Sequence, residues 1–119
     1  MPGKPERTYP LTPKINQVLT EKISEFHRQA FDQDGILTFS KEGYDDFYVG
    51  KGSTYPDLFG CVGILFEQPS SRGALQNTSN GVLAFEETIL NQFRASMSSI
   101  KASASVSYTH LTLPTILRV

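Results

Sequence analysis

The chain has 119 residues, 39% of them apolar, with eight Phe, five Tyr and a net charge of −1. That is one domain at most, with apolar mass enough for a modest core and too much for disorder. The charge balance leaves no basic footprint for nucleic acid or an anionic membrane, and the lone Cys61 excludes a disulfide framework or a Cys-based zinc site.

Taken in chain order, the opening "MPGKPERTYPLTP" has no apolar signal-peptide core and describes a loop. Thr12 followed by Pro13 is a helix start, an N-cap hydroxyl with proline at the first helical position. Ile15, Val18, Leu19, Ile23, Phe26 and Ala30 recur at helical spacing, and Gly35 stands where a C-cap glycine ends a helix, so residues 13–33 are expected to be an amphipathic helix. His27, between Phe26 and Arg28, is expected on its surface. Ile36 to Ser40 forms a short strand candidate. Residues 41–60, rich in glycine and tyrosine, form a long loop, and a loop of that length with aromatics points to function.

Cys61 to Phe66 is an apolar, β-rich, non-alternating run, the signature of a central strand buried on both faces. A polar loop extends to about Gly81. A second helix is expected over 84–101, with Phe85, Ile89, Phe93, Met97 and Ile100 on one face. No stretch reaches the roughly 18 apolar residues of a membrane span. The fold class is therefore α/β, part of a mixed β-sheet flanked by helices. A strand buried on both faces requires neighbours that two helices and two or three strands do not supply, which marks the chain as a piece of a larger domain.

Glu67 closes the apolar run. Open α/β sheets place their chemistry at the carboxyl ends of strands, and a carboxyl set in apolar bulk holds a proton more readily, which suits general-base work. The plain alternative is a strand returning to solvent, with Arg72 as a salt-bridge partner for Glu67.

The run "DDFYVGKGSTYPDLFGCVGILFEQPSSRG", Asp45 to Gly73, together with "PLTPK" (Pro10 to Lys14) and "NQF" (Asn91 to Phe93), resembles the C-terminal part of zinc carboxypeptidases of the carboxypeptidase A type, in a bacterial branch. The resemblance covers nearly all of residues 2–104. It implies a hydrolase acting on peptide or protein C-termini, with Glu67 as general base. It also implies a mobile tyrosine that covers the substrate, matched best by Tyr48 with Tyr55 as the alternative, and Thr54 to Asp57 near a specificity pocket. The family's zinc ligands, a His-x-x-Glu pair and a later histidine, lie upstream of the part matched, as do its substrate-binding arginines. Residues 1–104 offer only His27, not followed by x-x-Glu, so no metal ligands are assigned here. Zinc belongs to the parent protein, and the chain alone is expected to be inactive. Its partner would be the missing N-terminal part of its own domain, and relatives of this kind are commonly extracytoplasmic. Glu86 and Glu87 depart from the pattern, standing where an apolar helix start is expected. The competing reading is a non-catalytic peptide- or carbohydrate-binding module of the same fold, or a short protein whose sheet a partner chain completes.

Residues 105–119, "SVSYTHLTLPTILRV", differ from the rest: rich in Thr, Ser and Leu, without an acid. Ser105 to Thr115 resembles the translation of a transposase-type sequencing adapter, whose next triplets supply Val119 and then a stop. The segment is expected to be an artefact of that kind rather than a domain, which removes His110 from the candidate ligands.

Overall fold

The computed structural model describes residues 4–116, with side chains described throughout except at Pro5 and beyond Ser107. Two helices, α1 (Lys14–Asp32) and α2 (Phe85–Ile116), pack along each other, and an antiparallel hairpin, β1 (Leu75–Thr78) and β2 (Gly81–Ala84), leads into the second. The class is mixed α and β, with a two-stranded sheet.

α1 ends as expected. Gly35 adopts a left-handed φ of 66°, its amide bonds the Asp32 carbonyl at 3.1 Å, and the Ile36 amide bonds the Phe31 carbonyl at 3.0 Å. These are the paired bonds of a Schellman motif, which only a residue tolerant of positive φ completes cheaply. The start differs. Pro13, with ψ of 137°, is itself the cap residue, and the helix begins at Lys14. Thr12 therefore sits one position too early for its hydroxyl to reach the first free amides, and that hydroxyl is buried without a partner among the described residues.

The buried face of α1 is Asn16, Leu19, Thr20, Ile23, His27 and Phe31. It is rotated from the expected apolar stripe: Val18 is exposed and Ile15, Phe26 and Ala30 are half-buried. The polar members stay inside because they are hydrogen-bonded: the Thr20 hydroxyl donates to the Asn16 carbonyl at 2.9 Å, while Asn16 and His27 bond Cys61 and Ser99 far along the chain. His27, expected at the surface, is 1% exposed.

α2 meets α1 through small residues. Ala95, Ser98 and Ala102 are buried, and Ala102 is fully so. The expected apolar face, Phe85, Ile89, Phe93, Met97 and Ile100, is instead turned outward, with Phe93 61% exposed. Side chains that small let two helix backbones approach closely, and nothing among the described residues lies against the opposite face. Glu86 and Glu87 occupy the first turn, where negative charge suits the helix dipole. The Glu87 carboxylate also accepts the Ala84 amide at 2.9 Å, one half of a capping box. That is the physical reason for acids at a helix start where the resemblance implies apolar residues.

Neither expected strand forms a ladder. Residues 36–40 and 61–66 run without turn or helix and pair with no strand among the described residues. Apolar composition encodes the burial a strand requires, and no neighbour here supplies it. The hairpin was not anticipated, since 67–81 reads as loop. Its register pairs Thr78 with Gly81 around Ser79 and Asn80, and Gly81 holds a φ of 114°. α2 continues through residues 105–116. The 105–119 assignment concerns the origin of the segment, and residues 117–119 lie outside the described ones.

Candidate functional site

The segment that carries Glu67 is anchored by its odd and even residues in turn. Cys61 donates its amide to the Pro56 carbonyl at 3.2 Å, and its own carbonyl accepts from the Asn16 side chain at 2.5 Å. The Gly63 amide donates to the Asp57 carboxylate at 2.7 Å. Gly63 passes so close to the loop that a Cβ there would overlap the Ser53 carbonyl oxygen, so only glycine fits. Further on, the Phe66 ring meets His27 edge-on, with centroids 4.8 Å apart. The Gln68 amide donates to the Thr88 carbonyl at 2.9 Å and accepts from Asn91 at 3.3 Å. This last contact joins the "FEQ" segment to the "NQF" segment on α2.

Pinning Phe66 and Gln68 on the body turns the residue between them outward. Glu67 is exposed and makes no ion pair among the described residues. Its setting is therefore solvent rather than the apolar bulk expected from the sequence, because alternate residues of an extended segment face opposite ways. Arg72, at a φ of 37°, makes no ion pair with it.

The Tyr44 hydroxyl donates to Ser53 Oγ at 2.5 Å. Burial holds that phenol above its usual range, and the charges of Asp46, Glu67 and Asp57 add to the effect against the Ser53 hydrogen bond. Beneath it lies a closed polar knot. Thr54 is fully buried and donates to Asp46 at 2.7 Å, and Asp57 is 2% exposed. Burial raises the Asp57 carboxyl above the usual carboxylate range, opposed by the hydrogen bond from Gly63. Thr54 and Asp57 thus support the loop from inside and are not presented to a ligand.

Tyr48 and Tyr55 are both exposed, at 66% and 56%. The Tyr48 ring lies over the Gly50 backbone, and the Tyr55 ring meets that of Phe59 at a tilt of 50°, centroids 5.0 Å apart. Neither makes a side-chain hydrogen bond to Glu67. A polar groove of about 380 Å³ between α1 and residues 38–41 belongs to a separate surface, crossed by the Lys41–Glu21 ion pair at 2.5 Å. The sequence singled out neither Tyr44 nor Gln68, and it marked Asn91 only as part of the "NQF" segment, not as a partner of Gln68.

Among the described residues no three His, Cys, Asp or Glu side chains converge to hold a metal ion, and Cys61 is a free thiol. A catalytic zinc requires three protein ligands, so these residues by themselves do not fit one. Among them, too, no helix is long and apolar enough to cross a membrane. Compared with protein-family models, curated proteins and solved structures, the chain matches none.

Proposed function

We propose that residues 1–104 are the C-terminal part of a zinc carboxypeptidase-like catalytic domain, from a hydrolase that removes C-terminal residues from peptides. In this reading 61–66 is an interior strand of a mixed sheet, and Glu67 is the general base at its end. The observation that carries it is the presentation of Glu67. Its two neighbours are held by His27 and by the Thr88–Asn91 pair, leaving its carboxylate exposed, without an ion pair among the described residues, and near enough to Tyr44 for its charge to be felt there. A free carboxylate on an anchored segment can take a proton from an attacking water and return it to a leaving amine. The long Asp45–Gly73 resemblance supports the choice of reaction. The metal ligands belong to the upstream part of the parent, and no step here depends on residues of this chain holding the ion.

The test is to extend the source reading frame upstream and assay the longer chain. A His-x-x-Glu pair and a later histidine are expected, with zinc-dependent release of C-terminal residues. Glu67→Gln should lower kcat by about 10²–10⁴-fold with unfolding unchanged. The isolated 119-residue chain should show no turnover. An upstream frame without ligands assigns the fold to a binding module, and zinc-dependent turnover by the short chain would overturn the reading outright.

A further inference from the structure

α2 carries its large apolar side chains on the side away from α1 and from the 61–68 segment. Its inner side holds both: Ser99 bonds His27 at 2.9 Å, and the Thr88 carbonyl and Asn91 side chain hold Gln68. At about 3.6 residues per turn, Phe85, Ile89, Leu90, Phe93, Met97 and Ile100 fall on the other side. All six are exposed, from 39% at Met97 to 62% at Ile100. Strand neighbours for residues 61–66 would stand beside that segment, on the inner side, so completing its sheet leaves the outer stripe uncovered.

The stripe is large enough to need an occupant. A large side chain has roughly 150–250 Å² to bury, so these exposures amount to about 600 Å². That is the upper end of the apolar patches found on monomers, about 300–600 Å². Two such stripes laid face to face cover about 1,200 Å², the lower bound of a specific interface.

The charges at its two ends are opposite. Glu86 stands at the start and Lys101 at the end, both exposed, and neither makes an ion pair among the described residues. Antiparallel pairing about Phe93 sets Ile89 opposite Met97 and brings Glu86 of each copy within a residue of Lys101 of the other. Parallel pairing would set Glu86 beside Glu86 and Lys101 beside Lys101, and like charges so placed oppose association.

We infer that the outer face of α2 is a self-association surface, on which a second copy of this chain packs antiparallel about Phe93. The interface is isologous, so each copy supplies the same apolar stripe and both ends of the charge match. An anionic membrane is a poorer occupant, since the stripe begins with two acids, Glu86 and Glu87, and the net charge is −1. The inference goes beyond the hydrolase reading, does not depend on it, and leaves residues 61–66 free for their own sheet.

The experiment is sedimentation equilibrium of the 119-residue chain over a micromolar to millimolar series. The expected mass rises from 13.2 kDa toward twice that value. Phe93→Glu puts two carboxylates at the centre of the interface and should weaken association about 30-fold or more. Phe39→Glu, at an equally exposed phenylalanine outside the stripe, should leave it unchanged. Lys101→Glu should weaken it about threefold, and adding Glu86→Lys to that variant should restore it. A mass of 13.2 kDa throughout overturns the proposal. So does association that survives Phe93→Glu, falls equally with Phe39→Glu, or ignores the charge exchange. Circular dichroism checks that Phe93→Glu still folds; if it does not, the charge exchange decides alone. Activity enters none of these outcomes, so the proposal and the hydrolase reading can fail separately.

Discussion

Acid should weaken this fold through His27. The Ser99 hydroxyl donates its only proton to the Ala95 carbonyl at 2.8 Å, so its oxygen accepts from His27 Nε2–H at 2.9 Å. Nδ1 is then the bare nitrogen, buried without a partner among the described residues. Protonation would place a cation between two helices with no acceptor for its new N–H. Burial accordingly lowers the His27 pKa from 6.5 to about 4. Because the folded value lies below the unfolded one, the unfolded chain binds the proton more readily. Stability is complete above about pH 6.5 and declines as pH falls toward 4. A gap of that size corresponds to roughly 3 kcal/mol. For a chain of this length that lowers the melting temperature by roughly 10 °C. Asp57, whose folded pKa is raised, acts with the opposite sign: the stability it adds is fully present below its unfolded value of 3.8 and disappears as pH rises through its raised folded value. The two are separated by comparing wild type with His27→Gln, which keeps a donor toward Ser99 but does not titrate. Urea unfolding from pH 7.5 to 4 should fall more steeply for wild type by about that amount. Parallel curves would refute the reasoning. If the variant fails to fold, a ring titration of His27 near its ordinary value refutes it equally.

Two further substitutions probe the scaffold. Gly63→Ala drives a methyl into the Ser53 carbonyl, so it should cost about 2–4 kcal/mol in urea unfolding and break the Tyr44–Ser53 hydrogen bond; a neutral result would mean the loop and segment do not touch closely. Glu87→Ala removes the reach back to the Ala84 amide and should cost about 0.5–1 kcal/mol, reduced by salt for its charge component. Circular dichroism melts at low and high ionic strength check both the destabilisation and the screening.

α1 was legible because periodicity and Gly35 state a helix and its end locally. Which face is buried was not, because Asn16, Thr20 and His27 are polar by composition, and Asn16 and His27 are held inside by Cys61 and Ser99, partners far along the chain. The run 61–66 shows the converse. Its apolar side chains record an environment, and environment is tertiary, so the same residues that read as a central strand remain unpaired where no neighbour exists. The hairpin left a faint local trace, Asn80 before Gly81, obscured by two strands of only four residues, the first of them mostly polar. Glu67 was legible as a residue to watch from its place after the run. Its exposure was not, since that depends on Gln68 finding Thr88 and Asn91.

The seam between the helices also sets an order of events. His27 and Ser99 are 72 residues apart, so docking α1 on α2 closes a loop of that length. The entropy involved is about 4 kcal/mol, against little more than 1 for a helical pair joined by a four-residue turn. Ala95 and Ala102 return little apolar area until the backbones are already close, so the contact rewards the chain late. The hairpin and first turn of α2 can assemble within a dozen residues and should be in place beforehand. Folding should then be limited by a search between two preformed halves, its rate governed by the chain between residues 33 and 74 more than by either helix.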